Sequence, residues 1–209
     1  MAKKRRRKKK IKLWKFGLFV LLLIAGFFGT IRLISSIGSH SVVSESDTPK
    51  TTSVNREKFI KEIAPHAVEL SQAYGVMPSI IIGQAVLESN FGQSELAAKY
   101  NNLFGIKAYG DVPKIKLDTK EYVDDEWITI KGEFRVYGSW RESLDSHTQL
   151  FVNGVDWNPQ LYRGVFTATN FEEAAEAIQE AGYATDPTYA EKLIAVIKQY
   201  HLNSYDLNQ

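Results

Sequence analysis

Residues Phe16 to Ile31 contain no charged side chain, and Lys3 to Lys10 form an unbroken basic run immediately ahead of them. This arrangement constrains the chain more than any other feature, because it splits it into parts that obey different solvents. A membrane span needs about 20 residues, and the stretch reaches that length when Leu13, Trp14 and Leu33 to Ile37 contribute, with Lys15 and Arg32 extending toward the interfaces. The basic run predicts a cytoplasmic N-terminus and an external C-terminal bulk. The resulting division is a basic tail at 1–12, a transmembrane signal-anchor helix at 13–37, a Ser- and Thr-containing linker at 38–54, a folded domain at 55–203 and a tail at 204–209. Ser36, Ile37 and Gly38 offer an alternative reading as a cleaved signal peptide, but the apolar run exceeds the usual signal core of about 7–15 residues.

Charge follows the same division. The first 32 residues hold 11 of the 26 Lys and Arg and none of the 24 acids, which leaves the remainder at 15 − 24 = −9. The basic run is explained as a topology signal and the ordered part is acidic, so no nucleic-acid partner is expected. The chain has no cysteine, which excludes disulfides, thiolate metal sites and cysteine nucleophiles. His40, His66, His147 and His201 are scattered with no HExxH pattern, so neither a metal nor a cofactor is expected.

The domain reads as mainly helical. Asn55 is positioned to cap a helix whose apolar stripe includes Phe59, Ile63, Ala67 and Leu70, with Gly75 ending it and Pro65 expected to kink or split it. Pro78 suits the first turn of a second helix running to about Asn90. Ile115–Val123 and Trp127–Val136 alternate as a hairpin around Asp124, Asp125 and Glu126. Ser139 with Glu142, and Asn170 with Glu173, are capping-box signatures of two further helices, and Asp186-Pro187 opens the last. The pattern predicts an α+β domain, mainly helical with one small β-hairpin, and no parallel sheet.

Glu88 is the most informative side chain. On the second helix it shares a face with Ile81, Gln84, Ala85 and Phe91. A carboxylate there faces desolvation and the negative end of the helix, and both raise its pKa. An acid that holds its proton near neutrality is what glycosidic cleavage needs. The alternative is a solvated glutamate at a frayed helix end. Glu121 shares strand parity with Ile115, Leu117, Thr119 and Val123, which places it with the apolar side unless the hairpin is exposed on both faces. Asp124, Asp125 and Glu126 read as turn solvation. The many aromatics are divided by the sequence neither into core nor into sugar-binding surface.

Taken in order, several stretches carry a resemblance. They are Pro78 through Gly92, then Ser94, Leu96 and Ala97, then Asn101 through Lys107, then Glu121-Tyr122, then Phe134, Arg135 and Tyr137, and last Gly182 through Pro187 with Tyr189. Together they make residues 56–202 resemble the glucosaminidase family of peptidoglycan hydrolases, glycoside hydrolase family 73. The first block alone is shared with lytic transglycosylases and goose-type lysozymes; the ordered set is specific. The resemblance implies a lysozyme-like fold and hydrolysis of the β-1,4 bond after N-acetylglucosamine in peptidoglycan glycan strands. It implies Glu88 as general acid, Glu121 as a second catalytic glutamate on the hairpin, and Tyr183 as a tyrosine that positions substrate; Gln84, Asn102, Phe104, Tyr137 and Tyr189, which lie in the same stretches, are further candidate substrate-binding residues. Where many members read Asn-Gly after Tyr122-Val123, this chain has Asp124-Asp125-Glu126, a departure that bears on the reach of Glu121. The chain shows none of the wall-binding repeats common in the family, so the anchor is expected to supply local concentration at the membrane of a Gram-positive cell. Rival readings are a lytic transglycosylase or muramidase on the same polymer, and a non-catalytic wall-binding protein.

Overall fold

The computed structural model describes residues 48–123 and 126–208, with the side chains at 48–52, 54, 120–128 and 208 outside that description. The predicted basic tail, the anchor at 13–37, most of the linker and the turn residues Asp124 and Asp125 fall outside the described residues. Among the described residues no helix is long and apolar enough to cross a membrane.

Seven α-helices and one hairpin make up the described chain: α1 Thr48–Tyr74, α2 Pro78–Ser89, α3 Glu95–Tyr100, β1 Lys114–Val123, β2 Glu126–Arg135, α4 Trp140–Asn153, α5 Arg163–Thr167, α6 Phe171–Glu180 and α7 Tyr189–Gln199. A 3-10 segment, Leu202–Asn208, follows. The arrangement is α+β, mainly helical with a two-stranded antiparallel sheet, consistent with a lysozyme-like fold.

Helix α2 is the centre of the molecule. Every residue from Pro78 to Val86 is buried, so the helix is enclosed on all sides and carries no solvent face over that length. It packs against α1, α7 and the 3-10 segment, and α7 packs in turn on α6. Gly83 sets the closeness of α7: a Cβ there would lie 2.9 Å from both Ile197 Cγ1 and Leu193 Cδ1. Pro78 occupies the first turn, where its missing N–H is no loss. The Ser79 amide behind it is bonded by Asp206 Oδ1 at 2.9 Å, so the residues expected as a C-terminal tail instead cap the central helix.

Three further expectations change. Helix α1 begins at Thr48 rather than at an Asn55 cap, and it continues through Pro65 without a break. Pro65 and Lys61, whose carbonyl loses its partner, both lie on the exposed side, where water replaces the bond. Helices α3 and α5 are short pieces that hydrophobic periodicity does not reveal. By contrast Ser139 and Asn170 cap α4 and α6, accepting from the Glu142 and Glu173 amides, and Gly75 (φ +83°) ends α1.

In the hairpin, Ile115 pairs with Phe134, Thr119 with Ile130 and Glu121 with Ile128. Ile115, Leu117 and Thr119 are the shielded set, and Lys116 and Asp118 are exposed, as the alternation predicts. The loop before β1 joins the sheet, with Ala108 N donating to Glu133 O at 2.9 Å and Arg135 N to Ile106 O at 2.9 Å.

Candidate active site

Glu88 sits in the last turn of α2, one residue before the helix ends. The chain then turns through three successive left-handed residues, Asn90 (φ 49°), Phe91 (φ 57°) and Gly92 (φ 74°). Two of these carry a Cβ and are disfavoured there. The Ser89 hydroxyl holds the turn, donating to Ala85 O at 2.5 Å and accepting from Gly92 N at 2.6 Å. A Cβ at Gly92 would strike Trp140 at 2.7 Å and Phe59 at 2.9 Å, so glycine is required for space as well as for φ. The Glu88, Ser89, Phe91, Gly92 pattern is thus a device for stopping a buried helix immediately beyond a carboxylate.

The carboxyl group has two unlike oxygens. Oε1 accepts from the Tyr189 hydroxyl at 2.9 Å, and that hydroxyl accepts from Gln84 Nε2 at 2.7 Å. Oε2 is buried and has no hydrogen-bond partner among the described residues. Part of the Glu88 side chain stays accessible although this oxygen is covered. Burial pushes the Glu88 pKa up to about 8 from its ordinary 4.5; the Tyr189 hydrogen bond opposes the rise, and the negative charge of Asp186 adds to it. A hydrogen bond to a charged group is worth about 1.5–3 kcal/mol, and desolvation outweighs it here.

Asp186 is the residue whose influence is hardest to foresee from sequence. It accepts from the Thr188 amide and hydroxyl, each at 2.8 Å, and pairs with Lys192. These bonds hold its own pKa low although burial works to raise it. Its Asp-Pro signature marks a helix start, and only the packing of α7 against α2 brings its charge to bear on Glu88.

The other expected site residues fall into two groups. Gln84, Tyr183 and Tyr189 gather behind Glu88, all without solvent exposure. The Tyr183 ring centroid lies 5.7 Å from that of Tyr189, and its hydroxyl has no partner among the described residues. Burial holds the Tyr183 and Tyr189 pKa values well above the ordinary 10.0. Asn102, Phe104 and Tyr137 instead build the support beneath. The Asn102 amide donates to Ile106 O at 2.9 Å and Arg135 O at 2.8 Å and accepts from Ile106 N at 3.0 Å, so it ties the loop to β2. Phe104 is stacked on His147, centroids 3.8 Å apart, and Tyr137 donates to Ser146 Oγ at 2.9 Å. The Asn102 amide is thus committed to backbone, and the Phe104 ring has no exposed surface. Glu121 is placed in β1 by its backbone; its side chain is outside the described residues.

A cavity of about 530 Å³ lies between α1 and the start of α4, lined by Glu62, His66, Trp140 and Arg141 and without Glu88. His66 there faces Glu69 at 2.9 Å and Asp145 at 2.6 Å, and Arg141 also reaches Glu69, at 2.7 Å. This is a junction between helices, so concavity alone does not mark the chemistry; the buried carboxyl of Glu88 does.

The glucosaminidase family profile, described as mannosyl-glycoprotein endo-beta-N-acetylglucosaminidase, matches residues 64–202. The chain belongs to the glucosaminidase family. As a member it is a glycoside hydrolase, and α2 with Glu88 lies inside the matched span. The chain is similar to the exo-glucosaminidase LytG of Bacillus subtilis, 41% identical over 99% of this chain and 70% of that protein. It is also similar to a probable N-acetylmuramidase of Lactococcus lactis subsp. cremoris, 33% identical over 86% of this chain and 42% of the relative's length. The catalytic domain of the autolysin Auto from Listeria monocytogenes shares the glucosaminidase fold with a TM-score of 0.67 and 37% identity, over 78% of this chain and 92% of that domain.

Proposed function

We propose that the protein is a membrane-anchored peptidoglycan hydrolase that cleaves the β-1,4 bond after N-acetylglucosamine during cell-wall remodelling, such as daughter-cell separation. The carboxyl of Glu88 carries this reading. Its Oε1 is occupied by the Tyr189 hydroxyl, so the proton belongs on Oε2, the oxygen with no internal partner. With a pKa near 8 the group is mostly protonated at neutral pH, as a general acid must be to give its hydrogen to the leaving oxygen. Glu121 is the proposed second carboxylate, activating water or steadying the oxocarbenium charge; its strand parity and its match to the family motif support this. The names of the autolysin Auto and of the lactococcal N-acetylmuramidase support the wall polymer as substrate, and that of LytG supports glucosaminidase action. The uncharged stretch Phe16–Ile31 behind a basic run supports the anchor.

The lactococcal relative's name favours a second reading, cleavage after N-acetylmuramic acid. Mass spectrometry of digested walls separates the two, because the new reducing end is N-acetylglucosamine in the first case and N-acetylmuramic acid in the second. A 1,6-anhydro end would identify a transglycosylase instead. Glu88→Gln keeps the shape and removes the donor, and should lower turnover by about 10²–10⁴-fold while leaving the protein folded. Near-native turnover in folded Glu88→Gln would sink the assignment. Glu121→Gln should slow turnover without weakening glycan binding.

A further inference from the structure

We propose that Gln84 is a positioning residue for Glu88, acting through Tyr189: its amide fixes the direction of the tyrosine hydroxyl and so decides which carboxyl oxygen carries the transferable proton. The proposal rests on the reading of Glu88 as the general acid and adds the means by which the acid is oriented.

A tyrosine hydroxyl has one hydrogen to give and lone pairs to receive. Gln84 Nε2 donates into the Tyr189 oxygen at 2.7 Å, so the tyrosine's own hydrogen goes to its other neighbour, Glu88 Oε1, at 2.9 Å. Oε1 is then an acceptor, and a proton on that oxygen would confront the tyrosine's hydrogen. Protonation is directed to Oε2. Without the amide, the hydroxyl is free to turn and accept from a protonated Oε1, an arrangement in which the tyrosine holds the acid's proton and keeps it from a leaving group. The fold enforces the chain of contacts. Gln84 and Glu88 are four residues apart on one helix face. Tyr189 opens α7, and α7 approaches α2 closely at Gly83, beside Gln84. Gln84 and Tyr189 are both without exposed surface, so no water competes for the bonds. This arrangement puts Gln84 behind the acid.

The test uses the full chain, with Gln84→Met, Tyr189→Phe and the double variant. Gln84→Met keeps side-chain length and removes the donor. Two readouts are taken: kcat and KM on purified walls across pH, and the titration of Glu88 followed by carbon NMR of the labelled carboxyl. In Gln84→Met, kcat should fall about tenfold, a fraction of the ~10²–10⁴ that acid catalysis supplies, with KM unchanged. The Glu88 titration should move upward, because the protonated form gains a hydrogen-bonded arrangement and the ionised form loses its fixed donor. Tyr189→Phe should also move it upward, and the double variant should move it no further than Tyr189→Phe alone, since the two residues act as one unit. An unchanged titration in Gln84→Met, additive shifts, or a raised KM with native kcat would each overturn the proposal. The NMR titration needs no turnover, so it reports on the relay even if Glu88→Gln shows that Glu88 is not the acid.

Discussion

Glu88 and His147 are two buried ionisable groups whose burial works in opposite directions on pH dependence. Glu88 has its pKa raised from 4.5 to about 8 by desolvation. The folded protein therefore holds a proton that the unfolded chain releases above pH 4.5, and this contribution to stability is lost as pH rises from about 4.5 through about 8. Glu88→Gln should accordingly raise the melting temperature most above pH 8 and progressively less toward pH 4.5, and the upper limb of kcat/KM for the native enzyme should fall near pH 8. A melting-temperature difference that does not change with pH would contradict this. His147 stacks on Phe104, and burial pushes its pKa down to about 3 from 6.5. Neither ring nitrogen has a hydrogen-bond partner among the described residues. The unfolded chain takes up the proton first as pH falls below 6.5, so stability is lost between there and about pH 3. Calorimetry of His147→Leu should show a shallower fall of melting temperature from pH 7 to pH 4; an unchanged slope would mean that His147 does not titrate as its burial requires.

At the scale of elements, the site depends on how closely α7 lies against α2. Gly83 permits that approach, and Tyr189 at the head of α7 reaches Glu88 because of it. Gly83→Ala places a methyl group against Ile197 and Leu193. Overpacking of this kind costs about 1–3 kcal/mol, partly offset by about 1 kcal/mol from better helix propensity. Turnover should fall more than the small loss of stability explains, because Tyr189 moves with α7. Native kcat in a variant that is nevertheless destabilised would show that the α2–α7 spacing does not govern the acid. The capping boxes and the glycine after α1 were legible because each is a local hydrogen-bond or backbone requirement written in adjacent residues. Continuity through Pro65 was not, since it depends on which side of α1 faces water.

For the whole molecule, the proposed topology couples an acidic external part of net charge −9 to a basic cytoplasmic end. An acidic domain has no bulk attraction to an anionic wall, so a tether would set its local concentration and confine it to glycan within linker reach. Protease added outside intact protoplasts should remove the domain and leave a short membrane-bound fragment. Recovery of the intact domain from the medium, starting near Ser39, would favour cleavage of the N-terminal segment instead.

The sequence by itself determined the α+β class, the capped starts of α4 and α6, the hairpin and the candidacy of Glu88, because these rest on periodicity, capping and one carboxylate out of place on an apolar face. It also carried the family, through motifs spaced along nearly the whole domain. What only the tertiary structure decided is the environment of that carboxylate. Gln84 and Tyr189 are 105 residues apart, and no local pattern says that a hydroxyl from α7 will occupy one oxygen of Glu88 and leave the other bare. The same holds for Asn102 and Phe104, which a motif marks as a unit but whose burial turns them into support for the site. A proton's place on a carboxyl group is fixed by directional bonds and by exclusion of water, and both arise only when distant segments pack together.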